Sequence, residues 1–308
     1  MVWLLLGWLW LAAEPPTSFS ALAADRFEVF RFENLESPTS LLFIRGEMYA
    51  GADLMEAHPG FYRIYPERAG FRTGLVRALP QQSVDGLILG GDGAVWVASG
   101  RKFGALEAEW VGQALFLEAV QYQHVETVIL DLPNTCPDGT ADCGLVGIYP
   151  VSADRWLAVT RRSPTMLHLL ERQKDGWVKI HAAILRLDRK IPSVSEMKVI
   201  DGHLVFLLQD QWLLAGVDLS EAVENRSWKL ALEPFFDFSG LKKEFTLENP
   251  RVVYQGLPEG FDLDPEGNLW VALNNRGFVF RSSPDGVLDN KPKLLLFRKE
   301  GPENAPPQ

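Results

Sequence analysis

Two acidic residues open closely similar stretches of this 308-residue chain: Asp85 in VDGLILGGDGAVWVASG (84–100) and Glu259 in PEGFDLDPEGNLWVALNN (258–275). In each, the acid is followed by Gly, an apolar segment, a tight Asp-Gly or Glu-Gly turn and an apolar-aromatic run. Glu196, in SEMKVIDGHLVFLLQD (195–210), lies within one position of the same place in a copy that is one residue shorter. Carboxylates gathered on a common axis repel one another. A bound divalent cation with oxygen ligands, such as Ca2+, relieves that repulsion, and so does protonation of one carboxylate. Asp85, Glu259 and Glu196 are therefore candidate metal ligands, although an acid-Gly pair before a strand is also an ordinary turn element. Asn274 and Asn275 close the second of these stretches and offer side-chain carbonyl oxygens, or simply turn residues. Arg161 and Arg162 follow LVGIYPVSADRWLAV (145–159). Guanidinium forks fit carboxylate or phosphate, so this pair is a candidate for anionic substrate recognition as well as for solvated surface.

Other chemistries leave no mark. The sequence contains no GxSxG elbow, no HExxH, no phosphate-binding GxxxxGK[ST] and no GxGxxG. His58, His124, His168, His181 and His203 show no metal-ligand spacing and read as surface or packing residues. Cys136 and Cys143, the two cysteines, flank the turn-rich PDGTAD. A local disulfide there would staple one loop, contributing roughly 2–3 kcal/mol by chain entropy. Asp131, Asp138 and Asp142 surround that loop without the spacing of an EF-hand and are explained by turn chemistry.

The elements that must position these residues are β-hairpins, because Asp-Gly and Glu-Gly turns accept positive φ and join runs rich in Val, Leu, Ile and Trp. Five copies are visible: the three above, LVGIYPVSADRWLAV without a turn glycine, and SLLFIRGEMYAGADL (40–54). Tyr49, Trp96, Trp156, Val205 and Trp270 hold equivalent second-strand positions, 47, 60, 49 and 65 residues apart. Blades of a β-propeller repeat at about 40–50 residues, and in a propeller the first strand of each blade lines the central channel. The expected fold is thus all-β, a β-propeller over residues 24–299. Six blades fit its length best, with five to seven compatible. The sixth would lie in 101–131 or 211–256. Phe27–Phe32 would complete the blade that ends near the C-terminus. Leu106, Trp110, Val111 and Leu115 also have helical spacing, which allows a short helix there.

These hairpins resemble the blade motifs of the six-bladed propellers grouped around senescence marker protein/gluconolactonase, the NHL repeats, and the phytase-like esterase and SdiA-regulated proteins. The resemblance covers a quarter to a third of the chain. It implies that acid-Gly and Asn-Gly pairs at strand starts hold a divalent metal that polarises a lactone or ester carbonyl, and it carries that role onto Asp85 and Glu259. An Asn-Gly pair is missing at an equivalent strand start, where Leu145 or Ser195 stands.

Residues 2–13, VWLLLGWLWLAA, then Glu14, Pro15-Pro16 and Ala21-Leu22-Ala23, have the layout of a secretory signal peptide cut after Ala23. An uncleaved anchor is the alternative, and no Lys or Arg precedes the apolar run. Export to the periplasm or extracellular space follows, with no further membrane span and a disordered polar tail over 300–308. A net charge of −10 argues against a nucleic-acid partner. The expected role is a monomeric ligand-binding propeller for a small molecule, sugar or envelope protein; a divalent-metal-dependent ester, lactone or phosphoester hydrolase is the alternative.

Overall fold

The computed structural model describes residues 16–32, 34–35, 37–52, 58, 60–67, 70–78, 84–90, 94–103, 107–118, 121–130, 145–161, 165–174, 176–249, 252–274 and 292–300. Strand β1 (Leu22–Arg31) is followed by four successive antiparallel sheets. The first holds β2 (Pro38–Ile44), β3 (Glu47–Ala52), β4 (Gly60–Glu67) and β5 (Gly70–Ala78); the second β6 (Gly86–Leu89), β7 (Val95–Phe103), β8 (Glu107–Glu118) and β9 (Gln121–Leu130). The third runs through β10 (Leu145–Pro150), β11 (Arg155–Thr160), β12 (Met166–Gln173) and β13 (Gly176–Arg186). The fourth contains β14 (Val194–Ile200), β15 (His203–Leu208) and β16 (Leu213–Asp218). After helix α1 (Leu219–Glu224), β17 (Lys229–Ala231) pairs in parallel with β13, making the third sheet five-stranded, and β18 (Glu233–Asp237) completes the fourth. A 3-10 turn (Ser239–Lys243) and the small ladder of β19 (Thr246–Asn249) with β20 (Val252–Gln255) precede the last sheet. That sheet is built from β21 (Leu257–Leu263), β22 (Leu269–Asn274), β23 (Lys293–Lys299) and β1.

The fold is an all-β propeller. Each first strand contacts the next around a closed cycle, β2 with β6, β10, β14, β21 and back to β2. Four sheets of four strands and one of five thus form the ring among the described residues, without the expected sixth. The length reserved for a sixth blade is spent inside the others. Region 101–131 extends the long strands of the second sheet, and 211–256 supplies β16, α1, β17, β18, the 3-10 turn and the β19–β20 ladder. The helix allowed around Leu106–Val120 is instead the twelve-residue strand β8, whose backbone is paired on both sides by β7 and β9.

Local chemistry explains the hairpins. Arg45-Gly46 and Asp201-Gly202 adopt φ of 52° and 80°, and of 48° and 78°, the left-handed pair that suits the twist of two-residue turns. Ring closure follows the expected course, Phe27–Arg31 pairing with Lys293–Phe297. Between sheets lie clusters of buried apolar residues, for example Trp96 against Trp156 with centroids 4.4 Å apart. The second-strand equivalence holds for Tyr49, Trp96, Val205 and Trp270, which face Leu42, Ile88, Lys198 and Asp262. In the third sheet Trp156 pairs with Pro150, one step out of phase, because the turn there is the longer 151–154 without its glycine. No helix among the described residues is long and apolar enough to cross a membrane.

Candidate functional site

Every first strand opens with an irregularity in register. The skipped residues are Thr39, Val146, Ser195 and Glu259. Asp85 takes the same place in the second sheet, since its N–H donates to Ala98 O (2.9 Å) while Gly86 is the residue paired with Ala98. Such a bulge re-aims one side chain without breaking the strand. Asp85 and Glu259 are therefore equivalent, as their sequence context implies, and both are buried. Two further polar members of this ring are Ser195, whose hydroxyl donates to Pro258 O at 3.0 Å, and Thr39, whose hydroxyl donates to Val84 O. Glu196 lies one position further on, where the other first strands carry Ser40, Gly86, Gly147 and Gly260.

The mouth of the ring is completed from the ends of second strands. Arg161 follows β11, Gln209 follows β15 and Asn274 ends β22, all of them buried. Arg161 and Gln209 converge on Glu259: Arg161 Nη2 lies 3.1 Å from Oε2 and Gln209 Nε2 donates to Oε1 at 2.5 Å. The Arg161–Glu259 pair is almost wholly excluded from water, 4% and 0% exposed. Arg161 Nε is also buried and has no hydrogen-bond partner among the described residues. Asn274 Nδ2 donates to Ser37 Oγ (3.2 Å), tying the last sheet to the start of the first. The surface reading of Arg161 is thus overturned: ring closure carries it inward to a carboxylate 98 residues away. Arg162, Asn275, Cys136, Cys143, Asp131, Asp138 and Asp142 lie outside the described residues.

Below the mouth a second layer fills the channel. Lys198 sits three residues after Ser195, roughly 10 Å further along the strand. Its ammonium donates to Leu41 O and Leu87 O on two other first strands and lies 2.8 Å from Glu196 Oε1. The two carbonyls accept hydrogen bonds, and the contact with Glu196 is an ion pair. Glu196 Oε2 in turn accepts from Phe261 N at 2.5 Å. Burial pushes the Glu196 carboxyl up to about 8, against the pull of Lys198 and the Phe261 N–H. Asp262 accepts from Phe43 N (2.6 Å) and Leu263 N (2.9 Å); burial raises its pKa too, opposed by Lys198. Lys198 thus links β14 to β2 and β6 across the ring, one layer below Glu259.

Sequence reasoning missed Lys198 and Gln209. The signal for Lys198 was the alternation in Ser195–Ile200, which puts Glu196 and Lys198 on one face of a strand whose other face is Met197 and Val199. The signal for Gln209 was its place directly after the second strand of its copy, the place Asn274 holds in the last one. His168 is a packing residue: buried, without a partner for either ring nitrogen among the described residues, and held down to about 4 by burial and then by Lys179. Among the described residues no three His, Cys, Asp or Glu converge as a metal-binding group.

No family model matches the chain, and no curated protein matches it. Solved structures with a similar course include a putative oxidoreductase (glucose dehydrogenase) from Thermus thermophilus, at 13% identity, TM-score 0.43, over 89% of this chain and 100% of that one. A Bacteroides caccae protein of unknown function is similar at 11% identity, TM-score 0.43, over 76% and 69%. The periplasmic gluconolactonase of Pseudomonas aeruginosa is similar at 12% identity, TM-score 0.37, over 79% and 69%.

Proposed function

We propose that this chain is an exported, ligand-binding propeller whose mouth takes a small, hydroxyl-rich molecule of the sugar class. The observation that carries this reading is the convergence of Arg161, Gln209 and Glu259, with Arg161 Nε buried and unpaired among the described residues. A guanidinium, an amide and a carboxylate in contact offer donors and acceptors side by side, which suits adjacent hydroxyls that each donate and accept. The unmet Arg161 donor has a cost that a ligand oxygen would remove. These protein groups are already out of water and fixed by one another, so binding adds little desolvation or ordering cost on the protein's side.

The test is a thermal-shift titration with millimolar D-glucose, D-galactose, D-gluconate and D-glucuronate. A ligand at 100 times its Kd stabilises by about 2.7 kcal/mol, so at least one of the four should raise Tm saturably by several degrees. Gln209→Ala should abolish the rise. A flat response to all four overturns the sugar reading.

The second reading is a Ca2+-dependent ester, lactone or phosphoester hydrolase using Asp85 and Glu259. Their shared ring position favours it. Against it stands the occupation of both Glu259 oxygens by Arg161 and Gln209, since a cation would have to displace the guanidinium. Metal analysis of the purified protein separates the two: stoichiometric Ca2+ lost in Asp85→Ala supports the hydrolase, and its absence from the wild type removes it.

A further inference from the structure

The residues just before the expected cleavage point are built into the fold. Ser18 donates to Asp201 Oδ2 from its N–H (3.0 Å) and its hydroxyl (2.6 Å), and Thr17 Oγ1 adds a third bond at 3.3 Å. These bonds hold the Asp201 carboxyl below the usual range. Phe19 is 2% exposed and stacks on Phe235 with centroids 6.2 Å apart. The short turn is fixed by Phe19 N–H to Pro16 O (3.0 Å) and Leu22 N–H to Phe19 O (3.2 Å). Ala21 O accepts from Glu300 N (2.8 Å), and Leu22 is paired with Lys299. Residues 16–23 therefore lie across the seam between the fourth sheet, through Asp201 and Phe235, and the last, through Lys299 and Glu300.

We propose that residues 16–23 belong to the working protein, and that the bond hydrolysed when an export peptidase removes the apolar leader lies on the N-terminal side of Pro16. Cleavage after Ala23 would discard Phe19, the three bonds to Asp201 and the Ala21–Glu300 link together. A segment removed before folding has no reason to carry an aromatic that fits the core or hydroxyls that satisfy a turn carboxylate. Consistency between local residues and global fold is what marks a segment as part of the folded unit.

The full chain, produced in a host with an export pathway, is analysed by N-terminal sequencing and intact mass in both the membrane and the soluble exported fractions. The expected N-terminus is Pro16 or an earlier residue. An N-terminus at Ala24 overturns the proposal. In the full chain, Phe19→Ala should lower Tm by roughly 5–15 °C, given the usual effect of a deleted core aromatic in a domain of this size. If it does not accumulate as folded protein, Ser18→Ala gives the graded measure, with a drop of a few degrees expected. An unchanged Tm in both variants tells against a structural role and overturns the proposal.

Discussion

Glu196 and Lys198 face each other where neither can reach water, and the protonation of Glu196 shapes how the protein responds to pH. The Glu196 carboxyl titrates near 8 in the fold against an ordinary value of 4.5, burial being the larger cause. A group whose pKa is raised on folding binds its proton more tightly in the native state. Its stabilising contribution is complete below about 4.5 and is lost as pH rises through about 8. Tm should accordingly fall between about pH 4.5 and pH 8 and level off above, and Glu196→Gln, which keeps an acceptor for Phe261 N–H, should flatten that part of the profile. Parallel slopes for the two proteins in differential scanning calorimetry would refute the assignment. How far such residues can be read from sequence depends on where their partners lie. Asp85 and Glu259 stand in recognisable repeats, so their equivalence was legible. Arg161 looked like one half of an exposed pair, because its carboxylate partner is reached only after two further sheets have been placed.

At the scale of the strand, the acid-Gly pairs have a structural reason beyond any ligand. A Cβ on Gly86 would lie 2.0 Å from Val146 O, and one on Gly260 would lie 2.6 Å from Ser40 Cα and C. These glycines let neighbouring first strands come together backbone to backbone, and the preceding bulge turns the acid toward the mouth. Gly86→Ala should cost about 1–3 kcal/mol or more through overpacking against main chain. Gly240→Ala, where an added Cβ meets nothing within 4 Å, should stay within about 0.5 kcal/mol of wild type. Urea denaturation reads both, and equal midpoints would show that the close approach is not required. The motif itself was visible in the sequence; its purpose was not, because a glycine needed for approach looks the same as one needed for a turn. The hairpins were legible for the converse reason, since turn and strand residues are neighbours in the chain. Blade number was not. The 60- and 65-residue spacings contain the long strands of the second sheet and the elements inserted around the fourth, and length alone does not distinguish those from another blade.

For the whole ring, stability depends on the seam where the chain ends meet. Phe297 pairs with Phe27 of β1 on one side and Leu269 of β22 on the other, so one residue belongs to both halves of the closure. Its ring also lies 5.1 Å from Phe236 and 5.8 Å from Phe238, at the boundary with the fourth sheet. Lys198 adds a tie across the axis to β2 and β6. With each sheet packed between two neighbours and a side chain bonded across the centre, no sheet can leave without exposing the faces of two others. Phe297→Ala should therefore cost about 3–5 kcal/mol and shift the entire unfolding curve, with tryptophan fluorescence and far-ultraviolet circular dichroism moving together as they do in a cooperative transition. Separate midpoints for the two signals would mean that the seam opens while the other sheets stay folded, and that the ring is less of a unit than its closed cycle of first strands implies.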